Sequence, residues 1–248
     1  MRIFKTMYEA VAETGRDLKV RGISVECNSY QDKKLEGEDR FIKELVGVDF
    51  KIDKPLLERD KVLEYIFKDP VDRARIKLYC QQEIKDRCSG EPLNPGNSYK
   101  IRSDMWNKFL EGTGRFSYQY AERLWTNNQF KAVIDILKKD PGTRQAVLSI
   151  WNPDKDMVED KLGGGNRIPC SLNYQFLIRN GRLHCIYSMR SNDFCGHHVI
   201  DLYCASGLME YVVKELKSTY PDLKVGSLTY VCGSLHCFHW DLKLHSWF

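Results

Sequence analysis

Apolar and polar positions recur along this chain with two different periods, and the change between them divides it. The first half is written mostly in the helical period. Ile3, Met7, Ala10 and Val11 share one face, which predicts a helix over 3–13 broken by Thr14-Gly15-Arg16. Val20, Ile23 and Val25 predict a strand from Leu18 to Glu26, followed by a polar stretch from Asn28 to Asp39. The mixed-charge region 40–90 predicts two helices, near 55–68 and 70–86; in the second, Ile76, Leu78, Tyr79 and Ile84 fall at loose helical spacing. Gly90 to Gly96 reads as a loop. Ser103 is the candidate N-cap of a helix over 103–111, ended by Gly112 and Gly114, and Phe116 to Tyr120 reads as a loop or short strand. A helix over 122–139 carries Leu124, Phe130, Val133, Ile134 and Leu137 on one stripe and stops at Asp140-Pro141-Gly142.

In the second half the period shortens to two. Residues 144–151 predict a strand, and the charged segment 153–167 with Gly163-Gly164-Gly165 predicts a mobile loop. Leu172, Tyr174, Phe176 and Ile178 alternate on one face of the next strand. Asn180-Gly181 supplies a two-residue hairpin turn with positive φ, and 182–189 returns as the partner. Asp201 stands at the start of a helix reaching to about residue 218, with Leu202, Ala205, Leu208, Met209, Val212, Val213 and Leu216 buried. A last strand covers 226–238. Strands gathered in the second half, with helices before and between them, predict one α/β (α+β) domain over 1–248, built on one large sheet flanked by helices.

Composition narrows the partners. With 42% apolar residues in 248, a core forms without staples. A net charge of +4 suits a small anionic substrate and lacks the clustered basic face that nucleic acid requires. No apolar run is long enough to span a membrane, and Met-Arg-Ile-Phe-Lys lacks the apolar region of a signal peptide. The nine cysteines are odd in number, irregular in spacing and free of any C-x-x-C pair. That pattern predicts no metal site and a reducing, cytoplasmic compartment.

A few residues carry candidate chemistry. Cys170 follows Pro169 and opens a strand, with Arg144, Arg167 and Arg190 available to favour a thiolate; its other reading is an inert buried thiol. Arg190-Ser191 combines a guanidinium with a hydroxyl, as a phosphate grip or a surface ion pair. Asp193 and Asp201 are helix caps or site carboxylates, and Glu83 is a general acid/base or a solvated charge.

Five segments, taken in order, resemble the thymidylate synthase superfamily: W-N-K-F-L-E-G-T-G-R-F-S-Y-Q-Y (106–120), T-R-Q-A-V-L-S-I-W-N (143–152), Pro169-Cys170 with its hairpin, R-S-N-D (190–193) and G-S-L-H (233–236). The match spans about residues 76 to 240. The words M-R-S-N-D, L-I-R, G-S-L-H and Y-x-Q-x-E (79–83) resemble the deoxycytidylate 5-hydroxymethylase branch, with the cytidylate enzymes beside it. The resemblance implies the thymidylate synthase-like fold as a sheet-mediated homodimer. It implies Cys170 as nucleophile toward pyrimidine C6, Glu83 as the proton-transfer carboxylate, and Tyr120 and Asn173 as positioning groups. Arg190, Ser191 and a partner-supplied Arg144 would hold the phosphate, His236 the sugar, and Asp193 and Trp106 the folate co-substrate, 5,10-methylenetetrahydrofolate.

The base-reading position lies eight residues after the R-S-x-D aspartate, which is Asp201. An amide there suits uracil, whereas a protonated carboxyl accepts from N4 and donates to N3 of cytosine. Water rather than hydride would then complete the reaction, giving a hydroxymethyl group. Four departures qualify the match. Gln145 replaces a second arginine, Arg16 is the candidate for an N-terminal phosphate arginine, Phe238 replaces a sugar-site tyrosine, and the chain ends at Trp247-Phe248, short of the family's folate-covering tail. Gly196 also falls one place early, directly before the histidines that precede Asp201. The alternatives are a uridylate-directed methylase or hydroxymethylase, and a non-catalytic nucleotide- or RNA-binding relative.

Overall fold

The computed structural model describes residues 1–27, 29–30, 33–34, 36–157 and 167–244. The predicted Gly163-Gly164-Gly165 loop and the terminal Trp247-Phe248 lie outside the described residues. The architecture is one mixed sheet with helices laid against a single face. Its strands are β1 (Arg2–Phe4), β2 (Ile23–Glu26), β5 (Phe41–Ile52), β6 (Val147–Ser149), β7 (Ser171–Arg179), β8 (Arg182–Asp193) and β9 (Lys224–Phe238). They run in the order β1-β5-β9-β8-β7-β6, with β2 paired to β5. A two-strand ribbon, β3 (Ser29–Tyr30) with β4 (Lys33–Lys34), stands apart. The helices are α1 (Met7–Arg21), α2 (Lys61–Ile66), α3 (Pro70–Arg87), α4 (Ser103–Trp106), α5 (Tyr120–Trp125), α6 (Gln129–Lys139), α7 (Pro153–Asp156), α8 (Val199–Leu216) and α9 (His239–Leu244).

The second half folds as its period predicts. Asn180 and Gly181 take φ of 50° and 68°, so the β7–β8 hairpin turns as expected. Tyr174 and Phe176 are buried, with Tyr174 stacked on Tyr187 at 4.3 Å between ring centroids. α8 is apolar almost all round and is buried between the sheet and the other helices, as such a helix must be. β8 and β9 run parallel, with α8 as their crossover. One irregularity matters for the site. A bulge between Ser171 and Asn173 puts an extra residue in β7 opposite β8. Ser171 therefore shares a face with Tyr174, and its hydroxyl lies 2.6 Å from the Tyr187 hydroxyl.

The first half departs from its pattern in several places. Ile3 lies in β1, and α1 starts four residues later, capped by Thr6 in a reciprocal box with Glu9. It then runs straight through Thr14-Gly15-Arg16. Gly15 is there for close packing: a Cβ would lie 2.6 Å from the Tyr65 hydroxyl and 2.8 Å from the Phe194 ring. The strand predicted from Leu18 shrinks to Ile23–Glu26. β5 was not predicted at all, although it lies between β1 and β9. Its Ile42, Val48, Phe50 and Ile52 are buried, while Lys43, Asp49 and Lys51 alternate with them toward the other face; Glu44, in step with the buried set, accepts from Ser234 Oγ, and these charges mask the period. The 122–139 helix starts earlier and is split in two by Asn127 and Asn128, both left-handed at φ 57° and 55°. The 103–111 helix is reduced to α4 and the tight turn Asn107–Phe109, with Ser103 inside the first turn and no side-chain cap. Phe116 to Tyr120 is a loop entering α5.

A buried ion pair ties α7 to α5. Arg123 donates to both carboxylate oxygens of Asp156, at 2.6 and 3.2 Å, and Asp156 also accepts from the Asn152 amide. All nine cysteines carry free thiols, and among the described residues no helix is long and apolar enough to cross a membrane.

Candidate active site

β7, β8 and β9 open at one end onto a cavity of about 570 Å³, walled on the other side by α3 and the 98–120 segment. The size suits a nucleotide with part of a second ligand. Cys170 sits at its rim at the start of β7. The Cys170 sulfur lies 3.6 Å from Ser191 Oγ and 3.9 Å from Arg190 Nη2. Arg190 is braced by its own strand's neighbours: Nε donates to the Pro169 carbonyl at 2.8 Å, Nη2 to Ile168 at 2.9 Å, and Nη1 to Ser191 Oγ at 3.0 Å. A guanidinium has five N–H groups, so some remain for an anion. Thiol, guanidinium and hydroxyl are thus one cluster.

Three buried charged groups lie deeper. Glu83 (4% exposed) accepts from Arg87 Nε at 2.8 Å and from Ser98 Oγ at 2.6 Å. Arg87 (2% exposed) also donates to the Tyr174 hydroxyl at 3.3 Å and lies 4.6 Å from the Tyr120 ring centre. Its pKa is raised well above the ordinary value: burial alone would lower it, and Glu83 outweighs that. Asp201 (6% exposed) is pushed up to about 7, first by burial, with Glu83 adding to the rise and Arg87 opposing it. Tyr120 is likewise raised by burial, so its hydroxyl stays protonated.

Asp193 and His236 are opposed in the β8–β9 register. Burial raises the carboxyl and lowers the imidazole, while each pulls the other back. Asp193 caps a wide π turn, Phe194–His198, by accepting from the amides of Cys195 and Gly196. Gly196 is required there because a Cβ would lie 2.4 Å from Asp193 Oδ2. This π turn absorbs the early glycine and leaves Asp201 in the cavity. His197 and His198 are both pushed down to about 3 by burial and are neutral. Behind the Asp193–His236 wall the sulfurs of Cys195 and Cys237 are 3.4 Å apart, and with Asp241 they form a group whose ligand atoms all lie within 4.8 Å.

The opposite wall is aromatic. Trp106, Phe116 and Tyr118 line it, and the Arg167 guanidinium lies 4.9, 5.8 and 4.9 Å from their ring centres. Trp106 Nε1 and His197 Nε2 are buried there without partners. A flat ring with a polar edge fits such a wall.

Of the residues expected from sequence, Cys170, Glu83, Tyr120, Asp201, Arg190, Ser191, His236, Asp193 and Trp106 all line the cavity. Asn173 does not. It lies past the bulge, in register with Ser188, and the alternation that turns Tyr174 inward turns it outward. Arg144 is exposed before β6, away from this cavity, and Arg16 is an exposed residue paired with Glu13. Arg167, expected near Cys170, lines the cavity as well, and Arg87, Ser98, Tyr118, Asn192 and His197 line it without having been expected. Only Arg87 carried a signal, standing four residues after Glu83 on one helix.

A cysteine beside an arginine–serine pair thus stands at the open end of a mixed sheet. The thymidylate synthase family profile matches residues 96–244, and the chain belongs to that family. It is 33% identical over 138 residues to a putative thymidylate synthase of Methanosarcina barkeri, a match covering 53% of this chain and 58% of that one. The chain thus spans little more than half the length of that relative. It is 24% identical over 211 residues to the deoxycytidylate 5-hydroxymethyltransferase of Enterobacteria phage T6, covering 82% of this chain and 79% of that protein. The fold superposes on thermostable thymidylate synthase A from Bacillus subtilis with a TM-score of 0.63 at 15% identity, over 96% of this chain and 82% of that one.

Proposed function

We propose that the protein is a pyrimidine-nucleotide C5 one-carbon transferase, a hydroxymethyltransferase that converts dCMP, or CMP, to its 5-hydroxymethyl derivative. The observation that carries the cytosine choice is Asp201, a buried carboxyl in the cavity that keeps a proton up to about pH 7. Protonated, it donates to cytosine N3 and accepts from N4, a pattern that leaves uracil's N3–H unpaired. The 82% coverage of this chain by the phage T6 hydroxymethyltransferase supports the same reading.

Arg190 and Ser191 hold the phosphate, with an arginine from a second copy, Arg144, completing the grip. His236 faces the sugar. Phe238 brings no hydroxyl to that subsite, which leaves ribose and deoxyribose both admissible. Trp106 and Asp193 line the part of the cavity that fits the folate pterin. When bound there, 5,10-methylenetetrahydrofolate supplies the one-carbon unit. The Cys170 thiolate adds to C6 of the base and makes C5 nucleophilic. C5 takes up the one-carbon unit and tetrahydrofolate leaves; Glu83, with Tyr120 beside it, takes the C5 proton, water adds its oxygen to the transferred carbon, and Cys170 leaves C6.

Homodimerisation through the sheet is part of the proposal. The face away from the helices exposes Val147 (40%) and Val231 (39%), a face suited to a second copy. The test is to incubate the protein with methylenetetrahydrofolate and each of dCMP, CMP, dUMP and UMP and to weigh the products. A hydroxymethyl adduct on a cytosine nucleotide is expected, and Cys170→Ser should abolish tritium release from C5 while nucleotide still binds. A methylated product, or a uracil nucleotide as the only substrate, overturns the assignment.

A further inference from the structure

The buried end of the cavity holds two carboxyl groups and one guanidinium. Arg87 touches one carboxyl only. Its Nε lies 2.8 Å from Glu83 Oε1, and the other Glu83 oxygen is taken by Ser98 Oγ at 2.6 Å. Both hydrogen-bond partners of Glu83 are thus donors, an environment built for an anion. Among the described residues no hydrogen bond joins Arg87 to Asp201. The rest of Arg87 is fixed as well: Nη1 meets the Tyr174 hydroxyl at 3.3 Å, the Tyr120 ring lies at 4.6 Å, and its carbonyl accepts from Trp125 Nε1 at 2.9 Å.

From this geometry we infer that Arg87 is a positioning residue that divides the labour between the two carboxyls. It holds Glu83 ionised, as the proton acceptor, and leaves Asp201 as the carboxyl that carries the proton. The inference rests on the proposed transferase reading and adds to it a residue outside the expected set.

Charge balance explains why one cation suffices. An unpaired buried charge is costly, so a site with one positive group sustains one negative one. The groups facing Asp201 are Arg87 and Glu83 from α3, and Asn192 and Asp193 from β8. Tyr120, Tyr174, Tyr187 and Tyr230 surround them as neutral phenols, each raised first by burial. Asp193, the third carboxyl, is satisfied separately by two backbone amides and by His236. Of the cations lining the cavity Arg87 acts most strongly on Asp201, and Arg167 and Arg190 stand on its less buried walls. A proton at Asp201 therefore completes the neutral set: Arg87 positive, Glu83 negative, Asp201 uncharged. In the proposed reaction the division is useful, because Glu83 accepts a proton from the base or from water while Asp201 holds one against cytosine N3.

Two readouts test this. The first needs no catalysis. Infrared difference spectra between acid and neutral pH should show the band of a buried protonated carboxyl that Asp201→Asn removes and Glu83→Gln leaves in place. In Arg87→Gln a second such band should appear, and Glu83→Gln in that background should remove it. The second readout is the pH profile of C5 tritium release. Arg87→Gln should move its acidic limb alkaline by about one pH unit or more and cut the rate at neutral pH by about 10²-fold, the scale of losing a general base. KM for the nucleotide should change little. Arg87→Lys, which keeps the charge, should restore the position of the limb. A band in the wild-type protein that Glu83→Gln removes, or an Arg87→Gln variant with a full Asp201 band, no second band and an unmoved limb, overturns the inference. If wild-type protein releases no tritium from any pyrimidine nucleotide, the transferase reading falls, and the infrared result still decides the role of Arg87. Should Arg87→Gln fail to fold, the wild-type, Asp201→Asn and Glu83→Gln spectra decide which carboxyl is protonated, and Arg87→Lys decides whether charge alone sets the limb.

Discussion

Asp201→Asn separates what the carboxyl does for the reaction from what it costs the fold. In the unfolded chain Asp201 ionises near its ordinary value of 3.8, whereas in the native protein burial holds its proton up to about 7. The folded state binds the extra proton, so stability falls as pH rises from the unfolded value to the folded one and levels off above it. Three pKa units at about 1.4 kcal/mol each put the full cost at about 4 kcal/mol. At about pH 5 only about 1.6 kcal/mol of this has accrued, and by about pH 9 all of it has. Asparagine has the same shape and no charge to bury, so the variant escapes the pH-dependent part. Urea unfolding of nucleotide-free protein at both pH values measures the gap, provided the m-values agree. The variant should gain on the wild type by about 2.5 kcal/mol between about pH 5 and pH 9, and should lose turnover of cytosine nucleotides. A stability gap that is flat with pH, or that closes as pH rises, refutes the claim that a buried neutral carboxyl occupies this position.

Two further expectations rest on separate features. Asp156→Ala strands Arg123, which is 6% exposed, and should cost about 3–5 kcal/mol in a denaturant melt; a loss below about 1 kcal/mol would mean that water reaches the pair. Val231→Lys places a charge on the open face of the sheet and should convert a dimer to a monomer in sedimentation equilibrium. A wild-type monomer at micromolar concentration would remove the dimer, and with it the role proposed for Arg144.

What was legible in the sequence follows from where the forces are local. The β7–β8 hairpin and α8 announce themselves because turn chemistry and amphipathic spacing act over a few residues. β5 does not, because its outward positions are charged and its inward ones are buried only once β1 and β9 flank it. Gly15 looks like a break in isolation and is helical because Tyr65 and Phe194, far along the chain, occupy the space a side chain would need. The candidate site was legible through motif resemblance for nine of its lining residues, and for different reasons not for others. Asn173 was placed in the site by resemblance alone, although alternation with Tyr174 already turns it to the other face. Arg87 was passed over because an i, i+4 acid–base pair on a charged helix reads as solvated until its burial is known.

The bulge in β7 also decouples the two ends of that strand. From the hairpin turn backward, Asn173 through Arg179 are held in step with β8, while beyond the bulge Ser171 meets Met189 with one residue to spare. Loss of that spare residue would leave Tyr174 and Phe176 facing the helices, since the Asn180-Gly181 turn fixes their pairing. The change would fall instead on the short segment that leads from Cys170 into the strand. The Cys170 end of β7 can thus be re-aimed without disturbing the core behind it.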